Sequence, residues 1–143
     1  MDIQEIFIGA WVLLKINESN RILREPHRVT GIMTSDGQHY VQTDESDVYR
    51  GLECYEPIAI THDIMSASGF INDLGSAYYR QIDNSKWLDY YYPESRLREW
   101  YEDIDEWNNH AKVKEITFQC TCMYVHELQT ALRLCGSEIE III

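Results

Sequence analysis

No apolar run in this sequence approaches the ~20 residues that a membrane-spanning helix needs, so no helical anchor is expected. Basic residues are scarce: 12 Lys and Arg stand against 24 Asp and Glu, a formal charge of −12 at pH 7. Phosphate binding needs clustered cations, so direct nucleic-acid binding and docking on anionic membranes are not expected. The start, Met1-Asp2-Ile3-Gln4-Glu5, lacks the basic region and long apolar stretch of a secretory signal, and the expected location is cytoplasmic. There are only four cysteines, Cys54, Cys120, Cys122 and Cys135, and outside a secretory context they are expected to be reduced thiols. Signatures of nucleotide and hydrolase chemistry are missing too: there is no G-x-x-x-x-G-K-[ST], no G-x-G-x-x-G, no G-x-S-x-G and no D-x-D-x-D-G calcium loop.

What is present is apolar and aromatic. With 45% hydrophobic residues in 143, the chain can bury a core as one domain or as two small halves. Ile8 to Ile16 alternates as a strand and ends at the polar Asn17-Glu18-Ser19-Asn20 turn. A second strand is expected over Val29 to Thr34 after Pro26. Ser35-Asp36-Gly37 is a hairpin turn, with His39 to Thr43 pairing back. Four or five such strands predict a small curled sheet, an SH3-like barrel, over residues 1–60. Thr61 reads as an N-cap with Asp63 in the first turn, Ile64 and Met65 as the buried side and Gly69 as the stop before Phe70.

Residues 61–143 form the second expected unit, α+β in character. Ala77 to Ile82 and Trp87 to Tyr92 predict an aromatic hairpin. From Glu94 to His110, Leu97, Trp100, Tyr101, Ile104 and Trp107 fit helical spacing, with a strand and a long loop as the alternative. In the next strand Ile116, Phe118 and Cys120 point one way and Glu115, Thr117 and Gln119 the other. Val125, Leu128, Leu132 and Cys135 then make a helical stripe, widened by Tyr124, Ala131 and Leu134 and stopped by Gly136. Glu138-Ile139-Glu140-Ile141-Ile142-Ile143 completes an expected strand–helix–strand unit with a right-handed crossover.

Candidate chemistry is thin. His126-Glu127-Leu128-Gln129-Thr130 has a threonine where the zinc-protease helix needs its second histidine, so His126 reads as a helix-start residue bonded locally. Cys120, Cys122, His126 and Cys135 do not follow a zinc-knuckle spacing and read as small core residues, although their convergence is open at this level. No cofactor or metal is expected. The acids from Glu94 to Glu106 read as a solvated face. The one feature suggesting recognition is the aromatic set Trp87, Tyr90, Tyr91, Tyr92 and Trp100, rings of the kind favoured at interfaces, the alternative being that alternate rings of the hairpin simply line the core.

Ile8-Gly9-Ala10-Trp11-Val12, Tyr55-Glu56-Pro57-Ile58-Ala59-Ile60-Thr61, Gly69-Phe70 and Tyr124-Val125-His126-Glu127-Leu128-Gln129 together resemble a family of small uncharacterised proteins of Bacteroidetes genomes, phages and mobile elements. The resemblance implies an accessory gene of a mobile element and brings no activity, cofactor or site residue. From about Leu88 to Lys112 the chain is longer than that pattern. The expected function is a non-catalytic module that binds a protein partner, a second copy of itself included. The alternatives are an acidic mimic of nucleic acid that blocks a host DNA-binding enzyme, and a small carboxylate-dependent hydrolase or nuclease.

Overall fold

The computed structural model describes residues 1–73, 75–83, 85–104 and 112–143. The chain divides into two compact units, Met1–Ala59 with Tyr124–Glu127, and Ile60–Met123 with Leu128–Ile143. Among the described residues no helix is long and apolar enough to cross a membrane.

The first unit is a curled half-barrel. Its strands are β1 (Trp11–Glu18), β2 (Arg21–Ser35), β3 (Gln38–Thr43), β4 (Arg50–Gly51) and β5 (Tyr55–Glu56), in the order β4-β3-β2-β1-β5. Two-residue hairpins close β1–β2 and β2–β3. Ser19 and Asn20, then Asp36 and Gly37, all take positive φ, the backbone such tight turns demand. β2 begins eight residues before the expected Val29 and serves two partners, β1 through Arg21 to Arg28 and β3 from Val29 onward. Pro26 is tolerated because that first stretch has a ladder on one side only. A register shift between Val29 and Gly31 bends the strand and curls the sheet. Among the described residues no ladder joins β4 to β5, so the barrel stays open there.

Alternation puts Val12 and Leu14 into the core with Ile6, Ala10, Val29, Val41 and Tyr55. The Tyr55 hydroxyl donates to the Val41 carbonyl at 2.8 Å, and burial pushes its pKa up against the opposing pull of Arg50. On the surface, His27 is held between Asp44 (Nδ1 to Oδ1, 2.8 Å) and Glu25 (Nε2 to Oε2, 3.1 Å). Burial works against its protonation, but the two carboxylates outweigh it and raise its pKa. A raised histidine pKa gives stability that is fully present below the unfolded value of about 6.5 and is lost as pH rises through the folded value. Urea unfolding should therefore show His27→Gln costing more at about pH 5.5 than at about pH 8.5; an equal cost at both would remove the ion-pair account.

In the second unit, helix α1 (His62–Ala67) forms as expected. The Thr61 hydroxyl caps the Ile64 N–H at 3.3 Å, and Ile64 and Met65 are buried. Gly69 at φ 86° ends the helix, and the Phe70 N–H closes back on the Met65 carbonyl. A five-stranded antiparallel meander follows: β6 (Ile71–Asp73), β7 (Ala77–Gln81), β8 (Lys86–Tyr91), β9 (Arg96–Ile104) and β10 (Lys112–Thr121). The aromatic hairpin is β7–β8. Of the two readings of the stretch that opens at Glu94, the strand holds over Arg96–Ile104, as β9. Ser95, at φ 51°, reverses the chain after a 3-10 turn, and β9 then pairs with β8 on one side and β10 on the other. Trp107 and His110 lie outside the described residues.

Three further expectations are corrected. In β10 the chain slips register between Ile116 and Phe118, with Thr117 as the extra residue. Phe118 and Cys120 stay on the inner face while Ile116 turns out and is 54% exposed. In helix α2 (Val125–Leu134), Val125, Leu128, Ala131 and Leu132 are buried, but Leu134 is exposed and does not widen the stripe. After Gly136 the chain forms no strand: residues 135–143 lie outside any sheet, so the strand–helix–strand unit is absent and no crossover exists. Ile141 alone is buried there, and the Ile142 N–H donates to Ser68 Oγ at 2.9 Å. The alternation of Glu138 to Ile141 marks which side chain faces in, and one anchored apolar residue satisfies it without a ladder.

Candidate functional site

Alternation along β8 sends Leu88 and Tyr90 to the inner face and Trp87, Asp89 and Tyr91 to the outer. The antiparallel register then sets each outer residue beside a partner on β9. Trp87 lies opposite Trp100, their rings stacked with centroids 6.2 Å apart and planes 18° apart. Asp89 lies opposite Arg98, which donates from Nε to Oδ1 at 2.9 Å and from Nη2 to Oδ2 at 2.7 Å. Tyr91 lies opposite Arg96, whose guanidinium is 5.5 Å from the ring centroid. Tyr79 of β7 joins this face beside Asp89. Exposed Ile71 on β6 and Ile116 on β10 bring apolar surface to its two sides.

The electrostatics of the face are set by its central pair. Asp89 is buried at 6% exposure although it sits on the outer side, because Arg98 covers it. Hydrogen bonding to Asp89 raises the Arg98 pKa further above its ordinary value, so this cation is permanent. A bidentate pair satisfies both charges in place. Rings held by cross-strand neighbours have little side-chain freedom left to lose.

The sequence-predicted set is thus split by the fold. Trp87, Tyr91 and Trp100 share the outer face, all half-buried. Tyr90 does not belong with them: it is 1% exposed and its hydroxyl donates to the Cys122 carbonyl at 2.8 Å. Tyr92 has left the strand, stacks on His62 with centroids 4.6 Å apart and donates to the Ile60 carbonyl at 3.1 Å. Tyr79, Ile71, Ile116 and the Asp89–Arg98 pair were missed. Only the alternation of Ala77-Tyr78-Tyr79 could have pointed to Tyr79, since the others depend on register.

The remaining candidates do not assemble chemistry. His126 is buried, stacks on Tyr124 with ring centroids 5.9 Å apart, and places Nε2 3.4 Å from Oε2 of Glu5, a partner far away in sequence. Cys120 and Cys122 approach to 3.5 Å between sulfurs, whereas the Cys135 thiol donates to the Leu132 carbonyl. Burial, followed by the nearby Glu99 carboxyl, pushes the Cys135 thiol pKa up. Glu99 is itself buried and accepts from the Thr117 hydroxyl at 2.9 Å, which corrects its assignment to a solvated acidic face. Among the described residues no group of three or more His, Cys, Asp or Glu is placed to hold a metal ion. His62 Nδ1 and the Tyr78 hydroxyl are hydrogen-bonded, tying α1 to β7 through a wholly buried tyrosine.

Comparison of the chain with protein-family models, with curated proteins and with solved structures finds no match in any of them.

Proposed function

We propose that the chain is a non-catalytic protein-binding module that docks a protein partner through the outer face of its C-terminal sheet. The observation that carries this reading is the stacked, half-buried Trp87–Trp100 pair beside the locked Asp89–Arg98 bridge. Large rings held rigidly around a neutralised charge pair are the composition of an interface centre. A setting in a mobile element rests on the family resemblance alone. The acidic-mimic reading is less well supported. A phosphate mimic needs a continuous band of carboxylates, and here Arg24–Glu56, Arg50–Glu45, Arg96–Glu94 and Arg98–Asp89 interleave opposite charges.

The test compares wild type with Trp87→Ser and Trp100→Ser in affinity capture, and in sedimentation for self-association. Each substitution should weaken partner binding or dimerisation by about 1–3 kcal/mol, with Ile8→Ser in the first unit as the silent control. Binding through the rings should persist at high salt. A partner that is lost steeply with salt and ignores both tryptophans would support the mimic instead.

A further inference from the structure

Cys120 and Cys122 are separated by one residue at the end of β10, and their sulfurs lie 3.5 Å apart. Cys120 is half-buried and Cys122 is 1% exposed, so Cys120 is the more accessible of the two thiols. Cys122 is held on both sides of its peptide unit: its N–H donates to the Ser95 carbonyl at 2.7 Å, and its carbonyl accepts from Tyr90. We infer that Cys120 and Cys122 form a dithiol site that closes reversibly to an intramolecular disulfide when a low-molecular-weight disulfide such as glutathione disulfide supplies the oxidising equivalents.

The steps balance. The Cys120 thiolate attacks one sulfur of glutathione disulfide and expels one glutathione thiolate, leaving a mixed disulfide on Cys120. Cys122 loses its proton and attacks the Cys120 sulfur, which expels the second glutathione. Two protein thiols give up two protons and two electrons, one protein disulfide forms, and one glutathione disulfide becomes two glutathiones. Division of labour follows exposure, since the attacking thiol must be reached and the resolving thiol need only be adjacent. Two extended residues set Cα atoms about 6.7 Å apart, close to the upper limit of about 6.8 Å usual for a disulfide. Excess glutathione reverses the same two exchange steps, as suits a reversible site. Closure draws on Cys122, and the Tyr90 hydroxyl bonded to its carbonyl reports the change.

The experiment uses the full chain carrying Cys54→Ser and Cys135→Ser, exposed to glutathione disulfide and followed by intact mass and peptide mapping. The expected product has lost the mass of two hydrogens, carries no glutathione, links Cys120 to Cys122 and reverts with excess glutathione. Adding Cys122→Ser should leave one glutathione stably on Cys120. Adding Cys120→Ser should slow modification by about tenfold or more, because the remaining thiol is buried. In the untouched wild-type chain, Tyr90 ring resonances should shift on oxidation. A stable glutathione adduct with both thiols present, or a folded chain inert where the urea-unfolded chain reacts, overturns the inference.

Discussion

Leu97→Ala should lower the unfolding free energy by about 3–4 kcal/mol, toward the upper part of the range for buried leucines. Leu97 is wholly buried on the inner face of β9, with Tyr90 beside it on β8 and Cys120 on β10. The cost depends on how far neighbours collapse into the space left behind. Tyr90 cannot swing in without giving up its bond to the Cys122 carbonyl, so most of the cavity should remain. Leu134→Ala is the matched control. It removes the same atoms from a side chain that is 72% exposed, and the expected cost is below about 0.5 kcal/mol. Urea midpoints at unchanged slope measure both. Similar costs for the two would mean that the sheet's inner face is not packed as described.

Arg98→Leu should cost about 3 kcal/mol near neutral pH, and Asp89→Leu about 1 kcal/mol or less. The asymmetry comes from which charge is stranded. The Asp89 side chain is 8% exposed, so without Arg98 it keeps a buried, uncompensated carboxylate. Arg98 is 31% exposed and can turn to water when Asp89 is removed, while the added leucine packs in its place. Equal costs for the two substitutions would show that the pair is solvated rather than locked.

Much of the architecture was legible wherever a local rule acted alone. Thr61, Ile64, Met65, Gly69 and Phe70 each do in α1 what capping and periodicity require. The Ser35-Asp36-Gly37 hairpin forms where its turn chemistry lies, and Val125, Leu128 and Leu132 bury the stripe their spacing describes. Legibility ended where two patterns overlapped. Leu97, Trp100, Tyr101 and Ile104 satisfy a helical period, but the ladder with β8 and β10 outweighed it. In the strand, Leu97 faces in while Trp100 faces out.

The candidate surface shows the same division. Residue chemistry alone singled out the aromatic hairpin as the candidate for recognition, because so many large rings are hard to bury together beside a small core. Which rings remain available is a matter of register, and a shift by one residue exchanges the faces of a strand. Register set Trp87 against Trp100 and Asp89 against Arg98, and turned Tyr90 inward to Cys122. It also slipped at Thr117, which released Ile116 to the outer face. By itself the sequence determined the composition of the surface, the acidic balance and the helix ends, since these depend on single residues and their near neighbours. Tertiary structure decided which side chains meet, because cross-strand contacts join residues whose pairing no local pattern encodes.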